Sequence, residues 1–220
     1  MTRPPRTDGR VRAAAVTLFA AKGFHGTGIR ELADAAGLSS ATLYHYVGTK
    51  EDLLVEIMQT SLDRLLQAAR QVVRECPSPV AALSGLVQTH VVAHALQRAE
   101  TVVVDTELRS LTPDRRAPII AVRDEYEELW GSVIEKGCAD GSFHVPDAAL
   151  ARLALLQMCS GVANWYSTRG SRELTEVASA HAQLSLAMLG AETEPGLPPV
   201  GHYIRLVADV WGPRITADPS

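Results

Sequence analysis

The sequence predicts an all-α protein. Three observations carry that expectation. Apolar residues recur at three- and four-residue spacing along most of the chain, the signature of one helix face. Capping residues and glycine or proline stops divide the chain into helix-length pieces. No segment sustains the polar–apolar alternation of a half-buried strand. The 220 residues are 46% hydrophobic and 21% charged, an ordinary globular composition that excludes wholesale disorder. The uncharged apolar runs read as short of the roughly 20 residues of a membrane helix. No apolar stretch follows the polar start Met1-Thr2-Arg3-Pro4-Pro5-Arg6. Neither a membrane partner nor a secretory leader is therefore expected. Cys76, Cys138 and Cys159 are odd in number and lack CxxC spacing. That pattern argues against a disulfide framework or a zinc knuckle and points to a reducing cytoplasm.

The elements follow in order. Thr7 or Asp8 caps a first helix carrying Val11, Ala14, Ala15, Leu18 and Phe19 on one face, and Gly23 ends it. Thr27-Gly28 precede a short helix from Ile29 to Ala36, which Gly37 stops. Ser39 caps a third helix reaching about Val47, and Gly48-Thr49 break the chain. Lys50-Glu51-Asp52 open a long helix to about Arg74, with acids in the first turn where the helix dipole favours them. Cys76-Pro77-Ser78-Pro79 is a boundary, with Ser78 as cap and Pro79 at the first helical position of a helix to about Arg98. Further helices are expected over Glu100–Leu111, from Thr112-Pro113 to about Ala139, from Pro146-Asp147 through Tyr166, and from Gly170-Ser171 to Leu189-Gly190. A linker follows over Glu194–Pro199, and Val200–Trp211 reads as a short helix or strand.

The net charge of −4 hides an asymmetry. Residues 1–50 hold seven basic side chains against three acidic ones, whereas the remaining 170 hold 14 against 22. A positive head on an acidic body suits either a nucleic-acid surface or a solvated basic arm. The three short helices decide between them. Ala33 is small enough for two helices to cross closely, Gly37 permits a left-handed turn, and Leu38 plugs the gap between the helices. This is helix-turn-helix geometry, in which the later helix enters the major groove with its N-terminal residues at base edges. Ser40, Thr42, Tyr44 and His45 are its outward residues, able to meet phosphates and bases. Lys50 stands where it can meet a phosphate beside the N-terminus of the next helix.

The runs Ala20-Ala21-Lys22-Gly23-Phe24, Thr27-Gly28-Ile29-Arg30-Glu31-Leu32-Ala33, Ala36-Gly37-Leu38-Ser39, Thr42-Leu43-Tyr44-His45-Tyr46 and Lys50-Glu51-Asp52-Leu53-Leu54 resemble the DNA-binding domain of TetR-family transcriptional regulators. The resemblance implies an all-helical homodimer on a palindromic double-stranded DNA operator, with a divergent C-terminal effector domain. Carried over by position, Thr27, Arg30, Ser40, Thr42, Tyr44, His45, Tyr46 and Lys50 are the expected DNA-binding residues. Three positions depart from the pattern: Gly28 replaces a frequent hydroxyl residue, Ser40 a common Lys, and Val47 a frequent Phe. The chain then divides into a helix-turn-helix DNA-binding domain over 7–67, a helical effector-binding and dimerisation domain over 78–190, and a linker and tail over 191–220.

The second part reads as a sensor. Leu150, Leu153, Ala154, Leu155, Leu156, Met158 and Val162 make one helix apolar around most of its circumference, so it must be buried on two sides. Leu174, Val177, Leu184, Leu186 and Met188 give the last long helix a similar stripe. The helices over 147–166 and 171–189 are accordingly the expected dimer bundle, four helices about a two-fold axis. Arg109, Arg123, Tyr126, Trp130, Asn164 and Trp165 interrupt apolar helices, and Arg123, Tyr126 and Trp130 share a face. Aromatics with a buried Arg suit an apolar effector with an anionic end. Glu107-Leu108-Arg109, Arg123-Asp124-Glu125-Tyr126, Gly141-Ser142-Phe143 and Asn164-Trp165-Tyr166 through Arg169-Gly170 resemble the TetR-family members that sense acyl-CoA thioesters, which makes acyl-CoA the implied effector class.

One alternative comes from a different class. His90 and His94 stand four apart on a predicted helix, a spacing that can hold a metal. With Asp105 or Glu107 they would suit a metal-dependent helical enzyme; otherwise they are two satisfied or exposed histidines. No nucleophile elbow, phosphate loop or HExxH is present, and no cofactor is expected.

Overall fold

The computed structural model describes residues 5–212, and among them every regular element is helical. The chain divides into two compact units, one formed by residues 1–62 with 99–122 and the other by 63–98 with 123–220. Residues 99–122, expected within the C-terminal domain, pack with the first of these units.

The first unit contains α1 (Pro5–Gly26), α2 (Ile29–Ala35), α3 (Ser40–Val47), the opening of α4 (Lys50–Glu75), α6 (Arg98–Thr106) and the start of α7 (Pro113–Asp140). α1 begins ahead of the expected caps Thr7 and Asp8, whose side chains lie outside the described residues. Gly23 does not end α1 but kinks it, at φ 75° and ψ 163°. α6 stops short of Leu111 because Ser110 N–H bonds the Glu107 carbonyl and the Ser110 hydroxyl donates to the Glu107 carboxylate, drawing Leu108–Ser110 into a 3-10 turn. Phe19, Leu32, Leu43, Leu54, Ile57 and Ile119 meet in one core. Polar ties close its rim. Arg12 pairs with Glu100 at 2.6 Å, and Asp52 pairs with Arg115 at 2.5 Å. Glu51 accepts from both the backbone N–H and the hydroxyl of Thr112.

The second unit is built around α5 (Pro79–Leu96), with α8 (Ala148–Ser160), α9 (Val162–Trp165), α10 (Leu174–Met188) and α11 (Val200–Trp211) packed against it. Every residue of α5 from Val80 to Ala95 is buried. This helix is long and apolar enough by composition to cross a membrane, contrary to the reading of short apolar runs, and its apolar surface is taken up inside the unit. Ser78 caps it, accepting from Ala81 N–H, and donates its hydroxyl to Glu194. Gly85 allows a close approach: a Cβ there would stand 2.6 Å from Val72 Cγ1 and 2.9 Å from the Tyr203 hydroxyl.

Two helix boundaries in the second unit also differ from expectation. The helix begun at Asp147 breaks at Gly161, where Asn164 N–H bonds the Gly161 carbonyl in a tightened turn. The last long helix starts at Leu174 rather than at Gly170-Ser171, because Glu173 and Glu176 form a reciprocal capping box. The helix-or-strand alternative at Val200–Trp211 resolves as helix, with Val200, Tyr203, Leu206, Val207 and Trp211 buried along one face. The remaining tail, 213–220, lies outside the described residues.

Candidate nucleic-acid interface

α2 and α3 are joined by a turn of three well-placed groups. Gly37 takes φ 69°, a left-handed conformation that costs a glycine little. Leu38 N–H then reaches back to the Ala33 carbonyl at 2.8 Å, and Gly37 N–H to Asp34, satisfying the last carbonyls of α2. Ser39 caps α3, its hydroxyl accepting from Thr42 N–H at 3.1 Å and lying 2.7 Å from the Thr42 hydroxyl. Leu43 is fully buried and anchors α3 to the core. With that residue turned inward, Ala41, Tyr44 and His45 are the exposed positions, three and four residues apart on the opposite face.

The eight expected DNA-binding residues fall into three groups. Arg30, Tyr44 and His45 are exposed, and Tyr44 is 51% accessible. Ser40, Thr42 and Tyr46 are half-buried, with the Tyr46 ring edge-on to His45 at 5.8 Å. Thr27 and Lys50, also expected at the DNA surface, turn toward backbone carbonyls of their own unit. Thr27 is 1% exposed, and its hydroxyl donates to the Gly23 carbonyl at 2.9 Å, closing the kink of α1. The Lys50 ammonium donates to the carbonyls of Phe24 and Thr27 at 2.7 and 2.8 Å and lies over the Phe24 ring. Burial lowers its pKa. The N-terminus of α4 is capped: Asp52 accepts from the Thr49 N–H and hydroxyl, and its own N–H bonds Thr49 Oγ1. Ala41 was missed as an outward residue; its position one turn before Tyr44 and His45 was the available signal.

The expected effector residues differ in burial. Tyr126 and Trp130 are buried in the second unit, whereas Asn164 and Trp165 are exposed and Arg123 is half-buried. Arg109 is exposed in the first unit, on the 3-10 turn, so it is not the buried Arg that the reading required. What surrounds Tyr126 instead is a polar–aromatic cluster centred on α5. His90 Nδ1 is hydrogen-bonded to the Tyr126 hydroxyl at 2.9 Å, and its Nε2 to Ser160 Oγ at 3.0 Å. His94 Nδ1 donates to the His90 carbonyl at 3.0 Å, and the two imidazoles stack with centroids 3.8 Å apart. Trp130 stands edge-on to His90 at 5.7 Å. Burial holds His90 well below the usual histidine range, brings His94 down to about 4, and raises the Tyr126 hydroxyl. Both histidines are therefore neutral at pH 7. Three of their four ring nitrogens are already bonded. Among the described residues no group of three or more His, Cys, Asp or Glu stands close enough to hold a metal ion.

A third surface is apolar and open. Leu150 and Leu153 on α8 are 63% and 49% exposed, and Leu184 and Met188 on α10 are 56% and 48% exposed. Trp165 adds to it, stacked on His181 of α10 with centroids 6.2 Å apart.

These features define a helical regulator with a helix-turn-helix head and a separate helical effector body. Residues 11–57 match the family model for bacterial regulatory proteins of the tetR family, and residues 76–189 that for the tetracyclin repressor-like C-terminal domain. The transcriptional repressor KstR2 of Rhodococcus jostii is 32% identical over 196 residues, which are 84% of this chain and 96% of the relative. The TetR-family regulator PfmR of Thermus thermophilus superposes with a TM-score of 0.75 at 34% identity, over 82% of this chain and 98% of that one. The ketosteroid transcriptional regulator KstR2 of Mycobacterium tuberculosis does so with a TM-score of 0.79 at 25% identity, over 88% and 98%. The chain belongs to the TetR family. It is a DNA-binding transcriptional regulator, and this membership sets aside the metal-dependent enzyme built on His90 and His94.

Proposed function

We propose that the chain is a cytoplasmic, homodimeric repressor that grips a palindromic operator through α3 of each protomer and lets go when an effector enters the second unit. The observation that carries this reading is the orientation of α3. A capped helix is anchored by Leu43, with Tyr44 and His45 on its open side and Arg30 exposed on α2. The open apolar surface of α8 and α10 supports the dimer, because four large side chains left about half exposed or more, Leu150, Leu153, Leu184 and Met188, favour burial against a second copy.

The effector is apolar with a polar or anionic end. Supporting that class are the Tyr126–His90–Ser160 hydrogen bonds inside an apolar unit, and the family likeness to a ketosteroid regulator. An acyl-CoA thioester meets the same description. Asn164 and Trp165, being exposed, would meet its polar end, and Tyr126 and Trp130 its apolar one. Release requires only that the effector favour the state with weak DNA affinity, a coupling typically worth ~1–3 kcal/mol.

Electrophoretic mobility shift with duplexes from the flanks of the chain's own gene tests the reading. Wild type shifts one duplex at low salt, and Tyr44→Ala should shift it only at a severalfold higher protein concentration. Retention of full affinity by both Tyr44→Ala and His45→Ala would refute the role of α3. Leu150→Glu with Leu184→Glu should turn a dimer into a monomer in multi-angle light scattering.

A further inference from the structure

α3 contains an unusual omission. The base-discriminating side chains are Arg or Lys, bidentate on guanine, Asn or Gln, bidentate on adenine, and Asp or Glu, accepting from cytosine N4. The segment Ser39-Ser40-Ala41-Thr42-Leu43-Tyr44-His45-Tyr46-Val47 has none of them. Its hydroxyls are partly committed as well. Ser39 and Thr42 bond each other and the α3 N-terminus, and Ser40 is half-buried. Position matters next, because residues in the first turn of such a helix reach base edges. Within the first turn of α3, Ala41 is the exposed residue, and its side chain is a bare methyl. Tyr44 and His45 lie one turn further on along the same face, with an O–H and an N–H suited to phosphate oxygens.

We propose that this regulator selects its operator by methyl–methyl contact, with Ala41 as the specificity-determining residue facing a thymine 5-methyl group in each half-site. The inference rests on α3 being the DNA-reading element. It adds the base class that is read and assigns a residue to it. The physical basis is apolar burial. The thymine methyl is the one major-groove feature that needs no hydrogen-bond partner, and a small side chain on a closely approaching helix is shaped to cover it. A helix without a guanine-clamping cation gains little from G·C pairs under it. Arg30, which is on α2, and the donors of Tyr44 and His45 then contribute affinity through the phosphates.

The test uses full-length protein and a random duplex library. Selection should enrich half-sites with thymine at one or two fixed positions. In each enriched duplex, single thymines are then replaced by deoxyuridine, which deletes only the 5-methyl, and binding is followed by fluorescence anisotropy. At the position facing Ala41, wild type should lose about fourfold in affinity, the worth of one buried carbon group. Ala41→Gly should bind the thymine and uracil duplexes equally. Ala41→Ser keeps the β-carbon and the helix, and should lower the preference for thymine. The inference falls if every uracil duplex binds wild type as tightly as its parent, or if the enriched half-sites are fixed by G·C pairs. The wild-type uracil series decides the matter even if Ala41→Gly folds poorly. Failure to enrich any duplex removes the operator reading itself, a result distinguishable from enrichment without methyl dependence.

Discussion

α3 and α5 are opposite solutions to placing polar side chains on a helix. α3 buries Leu43 and leaves its polar residues to solvent or to its own cap. α5 buries every residue from Val80 to Ala95 and has to satisfy Ser84, Gln88, His90 and His94 inside the unit. The difference teaches where change is tolerated. A surface substitution on α3 alters what the protein recognises at little cost to the fold. A substitution against α5 removes a hydrogen bond or opens a cavity, because every neighbour is already in place.

The largest expected effect comes from emptying the cluster beside α5. Trp130→Ala, at a fully buried site, should destabilise the protein by ~3–5 kcal/mol, read as a fall in the denaturant midpoint. A change below ~1 kcal/mol would show that the second unit is loosely packed there. The next effect is pH-dependent. The ordinary histidine value is 6.5 and His94 lies at about 4 in the folded chain, so the unfolded state binds the extra proton. Stability due to His94 is therefore complete above pH 6.5 and declines as pH falls toward 4, by up to ~1.4 kcal/mol per pH unit. His90 adds to the same slope. His94→Gln should flatten the curve of thermal midpoint against pH in that window, and an unchanged slope would place the acid sensitivity elsewhere.

Smaller effects separate the two helices more finely. Thr27→Val keeps the shape of a buried residue but deletes the hydroxyl that closes the kink of α1. It should cost ~1 kcal/mol of stability and leave the operator affinity of the folded protein unchanged. A large loss of affinity at equal stability would return Thr27 to the DNA surface. Tyr44→Ala should do the reverse, moving stability by less than ~0.5 kcal/mol while weakening DNA binding severalfold in anisotropy titrations.

Much of the first unit was legible because its signals are local. Ser39 as a cap, Gly37 at a left-handed turn and Leu43 among polar neighbours act within a few residues, and the structure realises each of them. The intramolecular partners of Thr27 and Lys50 were not legible, for the opposite reason. Their partners are the carbonyls of Gly23, Phe24 and Thr27, which point at them only because α1 kinks at Gly23. The exposure of Arg109 was not legible, because a buried Arg was inferred from its apolar neighbours in sequence, whereas α6 ends early and leaves it on a turn in the first unit. The histidine pair was noticed for its spacing, but its partners Tyr126 and Ser160 lie 36 and 70 residues away along the chain.

By itself the sequence determined the helical class, the helix-turn-helix and most helix starts. Periodicity, caps and glycine turns are short-range properties of the backbone, and they hold wherever the segment is put. The tertiary structure decided which polar groups face inward. It turned Thr27 and Lys50 into clamps and made His90 the hub of a buried network. It also left Ala41 on the open side of α3. Burial and hydrogen bonding across long sequence separations depend on where distant elements pack, and that information is present only once the chain has folded.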